Sequence, residues 1–124
     1  MNPDWEELLQ LATQWVAKYR SQVGSLPVLA QVQPGWLTAQ LPAAPPAEGE
    51  PPEAWFADLD RLILPAVTHW NHPGFLGYFG ITGSPPGVAA DLVSSALNVN
   101  GMLWKTCPAL TELEQVVADR KSVV

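Results

Sequence analysis

Two histidines three positions apart are the first candidates for chemistry in this sequence. His69 and His72 form an H-x-x-H pair, which on a helix would place two imidazoles on one face, within reach of one metal ion. Pro73 and Gly74 follow at once and oppose a helix, and no third ligand stands nearby in the sequence. We therefore predict no metal site here, and we favour structural histidines that are satisfied by a neighbouring carbonyl.

A lone cysteine and a pair of carboxylates are the other candidates for catalysis. Cys107 precedes Pro108 at a predicted helix start, a position that can activate a thiol, but no basic residue is placed by the sequence to assist it. Glu112 and Glu114 are two positions apart, so they do not share a helix face. We expect a structural Cys107 and two glutamates that interact with the helix dipole, and we predict no catalytic residue in this chain.

The stretch from Trp70 to Gly83, rich in aromatic residues and glycine, suits the wall of an apolar pocket. Trp70 and Tyr78 carry polar atoms that need partners when buried. The glycines lack the strand-then-helix setting of a dinucleotide fingerprint and the lysine of a P-loop. From the residues alone, core packing and a ligand pocket both remain open for this cluster.

Four helices are predicted to position these residues, which makes the chain mainly α. Apolar side chains recur at helical spacing over residues 2–23, with Asn2 as the expected cap and Gly24 as the expected end. Thr106 is the predicted cap of the last helix, and a short extended piece is expected around residues 75–79. The remaining helices are predicted from Glu53 to about Leu64, from Pro86 to Asn98, and from Pro108 onward.

The same pattern divides the chain into four segments. Residues 1–24 form a helix whose apolar face must dock on something, and residues 25–52 form an extended linker stiffened by proline. Residues 53–119 form a helical segment that contains the aromatic loop. Residues 120–124 are interpreted as a non-native tail, because the end D-R-K-S-V-V breaks the helix pattern and matches a translated sequencing adapter.

Composition limits the partners of the chain. Of its 124 residues, 48% are hydrophobic and 15% charged, which argues against disorder and indicates surface meant for a partner. A net charge of -6 with only six Lys and Arg argues against nucleic acid. One cysteine favours a reducing cytoplasm, and no apolar stretch is long enough to span a bilayer. The sequence therefore predicts a cytoplasmic chain without nucleic-acid or membrane partners.

A series of ordered motifs resembles the group II pyridoxal-phosphate-dependent amino-acid decarboxylases, the family that includes the aromatic-L-amino-acid decarboxylases. Each motif is weak alone, but their order and spacing are specific, and the similarity extends over nearly the whole chain up to Asp119. The motifs are T-H-W-N-H-P-G-F-L-G-Y-F at 68–79, S-P-P at 84–86, N-V-N-G-M-L-W at 98–104 and C-P-A-L-T-E-L-E at 107–114.

The resemblance implies a fold and an assembly. It implies the N-terminal helical segment and the start of the large domain of a fold-type I (aspartate aminotransferase-like) enzyme. Such an enzyme is a homodimer that binds pyridoxal 5'-phosphate and releases CO2 from an L-amino acid. The residues that would form the Schiff base, pair with the pyridine nitrogen and stack on the ring are implied to lie beyond residue 124. The chain is therefore expected to be an incomplete N-terminal fragment, inactive alone.

The resemblance also implies site residues. Substrate contacts are expected from Trp70, Tyr78, Phe79 and Ile81 in their own active site. Asn100 and Met102 are expected to reach into the partner subunit's active site. Gly80, Ile81 and Met102 replace residues that the animal enzymes carry, so the substrate preference of those enzymes does not carry over.

A small helical interaction module that docks on a full-length paralogue is the alternative. The apolar first helix would suit either function. The end of the chain separates them, because a functional short protein would be expected to cap its last helix. The fragment is the favoured interpretation.

Overall fold

The computed structural model describes residues 4–79 and 83–121, which contain helices and turns but no strand. The predicted mainly α fold class is confirmed, whereas the extended piece expected at residues 75–79 is a series of bends. The chain divides into two compact units, Met1–Thr82 with α1 to α3 and Gly83–Val124 with α4 and α5. The helices are α1 Trp5–Gln22, α2 Trp36–Gln40, α3 Pro52–Asp58, α4 Pro85–Leu97 and α5 Pro108–Lys121.

Helix α1 begins later than the sequence indicates. Asp4 holds the cap position, where its Oδ1 accepts a hydrogen bond from the Glu6 backbone N–H at 3.2 Å. Asn2, the predicted cap, lies outside the described residues. A short acidic side chain at this position satisfies a free helix N–H and interacts favourably with the positive end of the dipole. The helix ends at Gln22, and the turn Val23–Ser25 continues it as 3-10 helix through Gly24.

The proline-rich segment is not extended throughout, because it contains α2. Gly35 precedes this helix with a φ of 89°, in the left-handed region that glycine enters without a Cβ clash. The chain then turns into the five residues Trp36–Gln40. A helix this short has no full amphipathic repeat, so the spacing of apolar residues does not reveal it.

Helix α3 confirms the second predicted helix in outline. Pro52 stands in the first turn, where a missing N–H costs nothing. After Asp58 the chain widens into a π turn at Leu59–Ile63 and closes with a 3-10 turn at Leu64–Ala66, which contains Pro65. These turns give Asp60 a position facing α1.

Asp60 cross-links the π turn to α1 within the first unit. Its Oδ1 accepts from Trp15 Nε1 at 2.9 Å, and its Oδ2 lies 2.5 Å from Lys18 Nζ. Among the described residues the buried apolar side chains are Val23 and Leu62, which are 7% and 4% exposed. With so small an apolar core, polar contacts between distant segments contribute a large share of the packing.

Helix α4 follows the predicted bounds within one residue. The Ser84 Oγ caps it by accepting from the Gly87 N–H at 3.2 Å. Asn98 ends it in the left-handed conformation, with a φ of 46°. Asparagine tolerates this conformation better than most residues because its short polar side chain can bond locally. Both ends of α4 therefore have a local chemical cause.

The predicted cap of α5 is wrong. Thr106 Oγ1 donates backwards to the carbonyls of Asn100 and Leu103, both at 2.8 Å. The carbonyl of Cys107 accepts the first helical hydrogen bond, from Thr111 N at 3.2 Å, so Cys107 takes the cap position. The helix then runs to Lys121, so the predicted break after Asp119 is absent up to that residue.

Large apolar side chains stand exposed in both units. In the first unit Trp5 is 75% exposed, and in the second Leu97 and Leu113 are 64% and 62% exposed. An amphipathic helix gains most of its stability from burying its apolar face, which these helices do incompletely here.

We expect the 124-residue chain to self-associate, because contiguous exposed apolar surface promotes association in water. Size-exclusion chromatography with light scattering should show oligomers, an apolar dye should bind, and calorimetry should show a broad transition. A monodisperse monomer that melts in one sharp transition without binding dye would contradict this expectation.

We expect Asp60→Ala to loosen α1, because it removes the acceptor of Trp15 and the ion-pair partner of Lys18. A net hydrogen bond contributes about 1 kcal/mol, so amide hydrogen exchange in the second half of α1 should accelerate about fivefold. Asp58→Ala is the matched control, since it removes an exposed pair with Arg61 three residues away. Equal acceleration of hydrogen exchange in the two variants would show that the contacts of Asp60 do not stabilise α1.

Candidate functional site

Three aromatic rings are stacked in the segment between His69 and Phe79. The ring of Trp70 lies 4.8 Å from that of Phe75, at an angle of 28°, and 5.6 Å from that of Tyr78, at 7°. Offset stacking at such distances is a favourable arrangement of aromatic pairs. Phe75, Trp70 and Tyr78 are called the aromatic stack below.

The aromatic stack is open to solvent. Trp70 is 44% exposed, Tyr78 is 89% exposed, and the adjacent Phe79 is 96% exposed. These side chains therefore do not form the core of their unit, and their rings are accessible to an apolar or aromatic group. Three of the four predicted substrate contacts thus lie close together in sequence and in an exposed segment. The fourth, Ile81, lies outside the described residues.

His69 anchors the segment immediately before the aromatic stack. It is 3% exposed, and its backbone N–H donates to the carbonyl of Val28 at 2.9 Å. Its Nδ1 lies 3.0 Å from the hydroxyl of Tyr19 on α1. The ring of Tyr19 in turn stacks on Trp15 at 5.7 Å. His69 is thus buried and bonded to two distant parts of the chain.

His72 anchors the segment on the other side of Trp70. Its Nδ1 accepts from the Gly74 backbone N–H at 2.8 Å, so in the neutral ring the proton lies on Nε2. Nε2 donates to the carbonyl of Gly24 at 3.2 Å. The expectation of structural histidines, one satisfied by a neighbouring carbonyl, is confirmed. Within residues 4–79 and 83–121 no group of three or more His, Cys, Asp or Glu side chains is placed to bind a metal.

Two ionisable groups of the first unit have shifted pKa values. Burial lowers the pKa of His69, and the positive charge of His72 lowers it further. The hydrogen bond from Lys18 lowers the pKa of Asp60, burial opposes this shift, and the Trp15 hydrogen bond and the Lys18 charge add to it. The shifts favour the neutral form of His69 and the charged form of Asp60.

A cleft of about 310 Å³ lies beside these anchors, lined by residues from Leu26 to Gln31 and from Asp60 to His69. Its walls are mostly apolar. Of the predicted substrate contacts that the structure describes, Trp70, Tyr78 and Phe79 do not line it, so the cleft and the aromatic stack are separate features of the first unit.

The second unit presents Met102 from a tight turn. The Asn100 Oδ1 accepts from the Met102 backbone N–H at 2.9 Å, and Met102 is 84% exposed. Gly101, between them, lies against Leu110, and a Cβ there would overlap that side chain. Asn100 therefore shapes the turn with its side chain, and Met102 extends from it.

Trp104 and Glu112 form a contact that the sequence reasoning missed. Trp104 Nε1 donates to Glu112 Oε1 at 2.7 Å, so Glu112 bonds the loop before α5. The first turn of α5 holds no acidic residue, so the expected interaction of Glu112 and Glu114 with the helix dipole is wrong. The sequence does contain a signal for this contact. The indole N–H of Trp104 needs an acceptor, and the carboxylate of Glu112 follows it in the first turns of the next helix.

The lysines of the described ranges differ in their surroundings. Lys18 Nζ lies 2.5 Å from Asp60 Oδ2, whereas Lys105 is exposed in the loop before α5. The side chain of Lys121 is outside the described residues.

Comparisons with known proteins agree on one family. The model of the pyridoxal-dependent decarboxylase conserved domain matches residues 34–121. Tryptophan decarboxylase 2 of Oryza sativa subsp. japonica is 39% identical over 105 residues, which are 85% of this chain and 21% of that protein. The 4-hydroxyphenylacetaldehyde synthase of Rhodiola rosea is 39% identical over 110 residues, which are 89% and 22%. The chain therefore spans less than a quarter of the length of these two relatives.

Solved structures agree as well. Catharanthus roseus tryptophan decarboxylase in complex with L-tryptophan superposes with a TM-score of 0.89 at 33% identity, over 98% of this chain and 26% of that one. Oryza sativa TDC with PLP and tryptamine gives 0.82 at 33% identity, over 88% and 24%. The predicted fold class, a helical segment of a fold-type I enzyme, is confirmed. None of the helices in the described ranges is long and apolar enough to cross a membrane.

We expect the protection of the backbone amides of residues 69–75 from hydrogen exchange to depend on pH through the protonation of His69. Because folding lowers its pKa, the stabilising contribution is complete above about pH 6.5, the ordinary histidine value, and declines as the pH falls towards the folded-state value. Hydrogen exchange, corrected for intrinsic rates, should be faster at pH 5.5 than at pH 7.5. His69→Asn should lose this dependence, and an unchanged dependence in that variant would exclude His69 as its origin.

Proposed function

Since this chain belongs to the pyridoxal-dependent decarboxylase family, we propose that it forms the N-terminal part of an enzyme that releases CO2 from an aromatic L-amino acid. The aromatic stack is the observation that carries the proposal, because it is exposed within the segment that matches the family model. A flat substrate side chain would gain stacking contacts of the kind that Trp70 makes with its neighbours. The tryptophan in the related complex supports an aromatic substrate.

Three of the proposed substrate contacts, Trp70, Tyr78 and Phe79, have exposed side chains in the first unit. Trp70, Tyr78 and Phe79, together with Ile81, would surround the substrate side chain of their own active site. Asn100 and Met102 would serve the partner subunit's active site. The exposure of Met102, 84%, supports this role because the residue is accessible to a second chain.

The proposed assembly is a homodimer in which α1 docks on the partner. Trp5 at 75% and Leu9 at 39% exposure leave apolar area on α1 uncovered, which supports docking. The proposed location is the cytoplasm, supported by the unpaired thiol of Cys107.

The proposed cofactor is pyridoxal 5'-phosphate, bound mainly by residues of the longer protein. Its presence in a related structure supports this assignment. We propose that the Schiff-base lysine belongs to the longer protein, and the engagement of Lys18 by Asp60 supports this for Lys18. The alternative, an interaction module that docks on a full-length paralogue, is supported by the same exposed face of α1.

We expect the reading frame in the source DNA to continue past the codon for Asp119 through an apolar helix towards a His-Lys motif. The complete protein, purified with pyridoxal phosphate, should release CO2 from L-tryptophan, L-tyrosine or L-phenylalanine, with amine and aldehyde products measured separately. A genomic stop codon directly after Val124 would favour the interaction module instead. A complete protein that releases no CO2 from these amino acids would contradict the proposal.

We expect Trp70→Ala in the complete protein to raise KM for its aromatic substrate about threefold to tenfold, the range of one lost aromatic contact. Trp55→Ala is the matched control, because Trp55 is 42% exposed against 44% for Trp70 but lies on α3. An equal change of KM in both variants would show that the aromatic stack does not contact the substrate.

A further inference from the structure

We propose that Tyr19, His69 and His72 are positioning residues that clamp the segment 68–75 onto the end of α1 and thereby fix the aromatic stack. The clamp itself stands on contacts within the first unit. Its consequence for substrate binding rests on the proposed function, and the two parts are tested separately below.

The two histidines hold the segment on either side of Trp70. Before Trp70, His69 Nδ1 and the Tyr19 hydroxyl share a hydrogen bond of 3.0 Å. After Trp70, His72 Nε2 donates to the carbonyl of Gly24, in the turn that follows α1, at 3.2 Å. Both anchors are therefore built on the same short stretch of chain, and Trp70 is the exposed residue between them.

Trp70 and Phe75 are joined to the clamp through backbone hydrogen bonds. The His72 N–H donates to the His69 carbonyl at 2.9 Å, and the Phe75 N–H donates to the His72 carbonyl at 3.0 Å. The Trp70 N–H donates to the Thr68 carbonyl at 3.1 Å. A shift of either histidine therefore moves the backbone that carries Trp70 and Phe75.

Burial is uneven along this part of the chain. His69 is 3% exposed, whereas Trp70 is 44% exposed and the side chains of Leu76, Tyr78 and Phe79, which follow the segment, are about nine-tenths exposed. Burial of a bonded imidazole is costly unless its partner stays in place, so the pair favours one arrangement. The clamp therefore adds order next to side chains that packing leaves exposed.

The clamp is tested by peptide-level hydrogen exchange on the 124-residue chain, a measurement that also applies to oligomers. Tyr19→Phe removes the hydroxyl and keeps the ring, and Tyr19→Leu removes both. We expect exchange in residues 69–75 to accelerate about fivefold or more in both variants, with the first half of α1 unchanged. Tyr78→Phe, which removes the exposed hydroxyl of the other tyrosine, should leave the exchange unchanged.

A rescue experiment distinguishes loss of the hydrogen bond from loss of side-chain volume. His69→Asn places a polar atom near the position of Nδ1 and should restore part of the protection. His69→Leu has a similar volume without a polar atom and should not. Unchanged exchange in both Tyr19 variants, or equal exchange in His69→Asn and His69→Leu, would overturn the clamp.

The consequence for substrate binding is tested by kinetics of the complete protein. If Tyr19 acts by positioning Trp70, Tyr19→Phe raises KM for the aromatic substrate about threefold and leaves kcat unchanged. General destabilisation would instead lower the measured kcat, because less of the enzyme would be active. In a Trp70→Ala background, Tyr19→Phe should add no further change. An unchanged KM, or additive effects, would overturn the positioning role. Absence of any decarboxylation would refute the proposed function alone, since hydrogen exchange still decides on the clamp.

Discussion

The hydrogen bond between Tyr19 and His69 joins residues fifty positions apart, and much of the first unit is arranged around it. Tyr19 belongs to the longest helix, and its ring rests on Trp15, whose indole bonds Asp60 in the π turn. The backbone N–H of His69 also donates to the carbonyl of Val28. Four segments therefore meet through polar and aromatic contacts rather than through a large apolar core. In such an arrangement the geometry of each contact matters more than the total buried area.

The reliance on polar and aromatic contacts explains how the molecule combines an ordered backbone with exposed apolar side chains. Helices α4 and α5 carry apolar residues over much of their length, and several remain more than half exposed. The same is true of Trp5 at the start of α1. The Oryza sativa and Rhodiola rosea relatives are between four and five times as long as the regions that match this chain, which are 21% and 22% of their lengths. The exposed faces match what a segment of such a protein would present to its surroundings.

The sequence predicts the long helices well, and physical reasons explain where it does not. Helices α1, α4 and α5 have regular apolar spacing over three turns or more, so their existence follows from periodicity. Helix α2 was missed because it spans only five residues after a left-handed glycine. Thr106 was assigned the wrong partner because its hydroxyl reaches back to two carbonyls of the preceding loop. The roles of single residues at helix ends depend on tertiary geometry that spacing does not contain.

The candidate site was predictable in location but not in arrangement. The residue types singled out His69, His72 and the aromatic residues but left core packing and a pocket both open, and the substrate contacts were expected only from the family resemblance. The stacking of Trp70 on residues five and eight positions later follows no helix or strand period, because it depends on the bends between them. The Trp104 and Glu112 contact likewise joins a loop to a helix. Such contacts are set by the path of the backbone.

The backbone at Tyr78 adds an evolutionary consequence. Its φ of 55° lies in the left-handed region, which is unfavourable for a bulky side chain by roughly 1–2 kcal/mol and easy for glycine or asparagine. Selection for stability alone would therefore replace the tyrosine and lose the outer ring of the aromatic stack. A tyrosine kept there for the proposed substrate contact sets stability against that proposed role at a single position. Descendants of this gene that no longer need the ring should drift towards glycine or asparagine at residue 78.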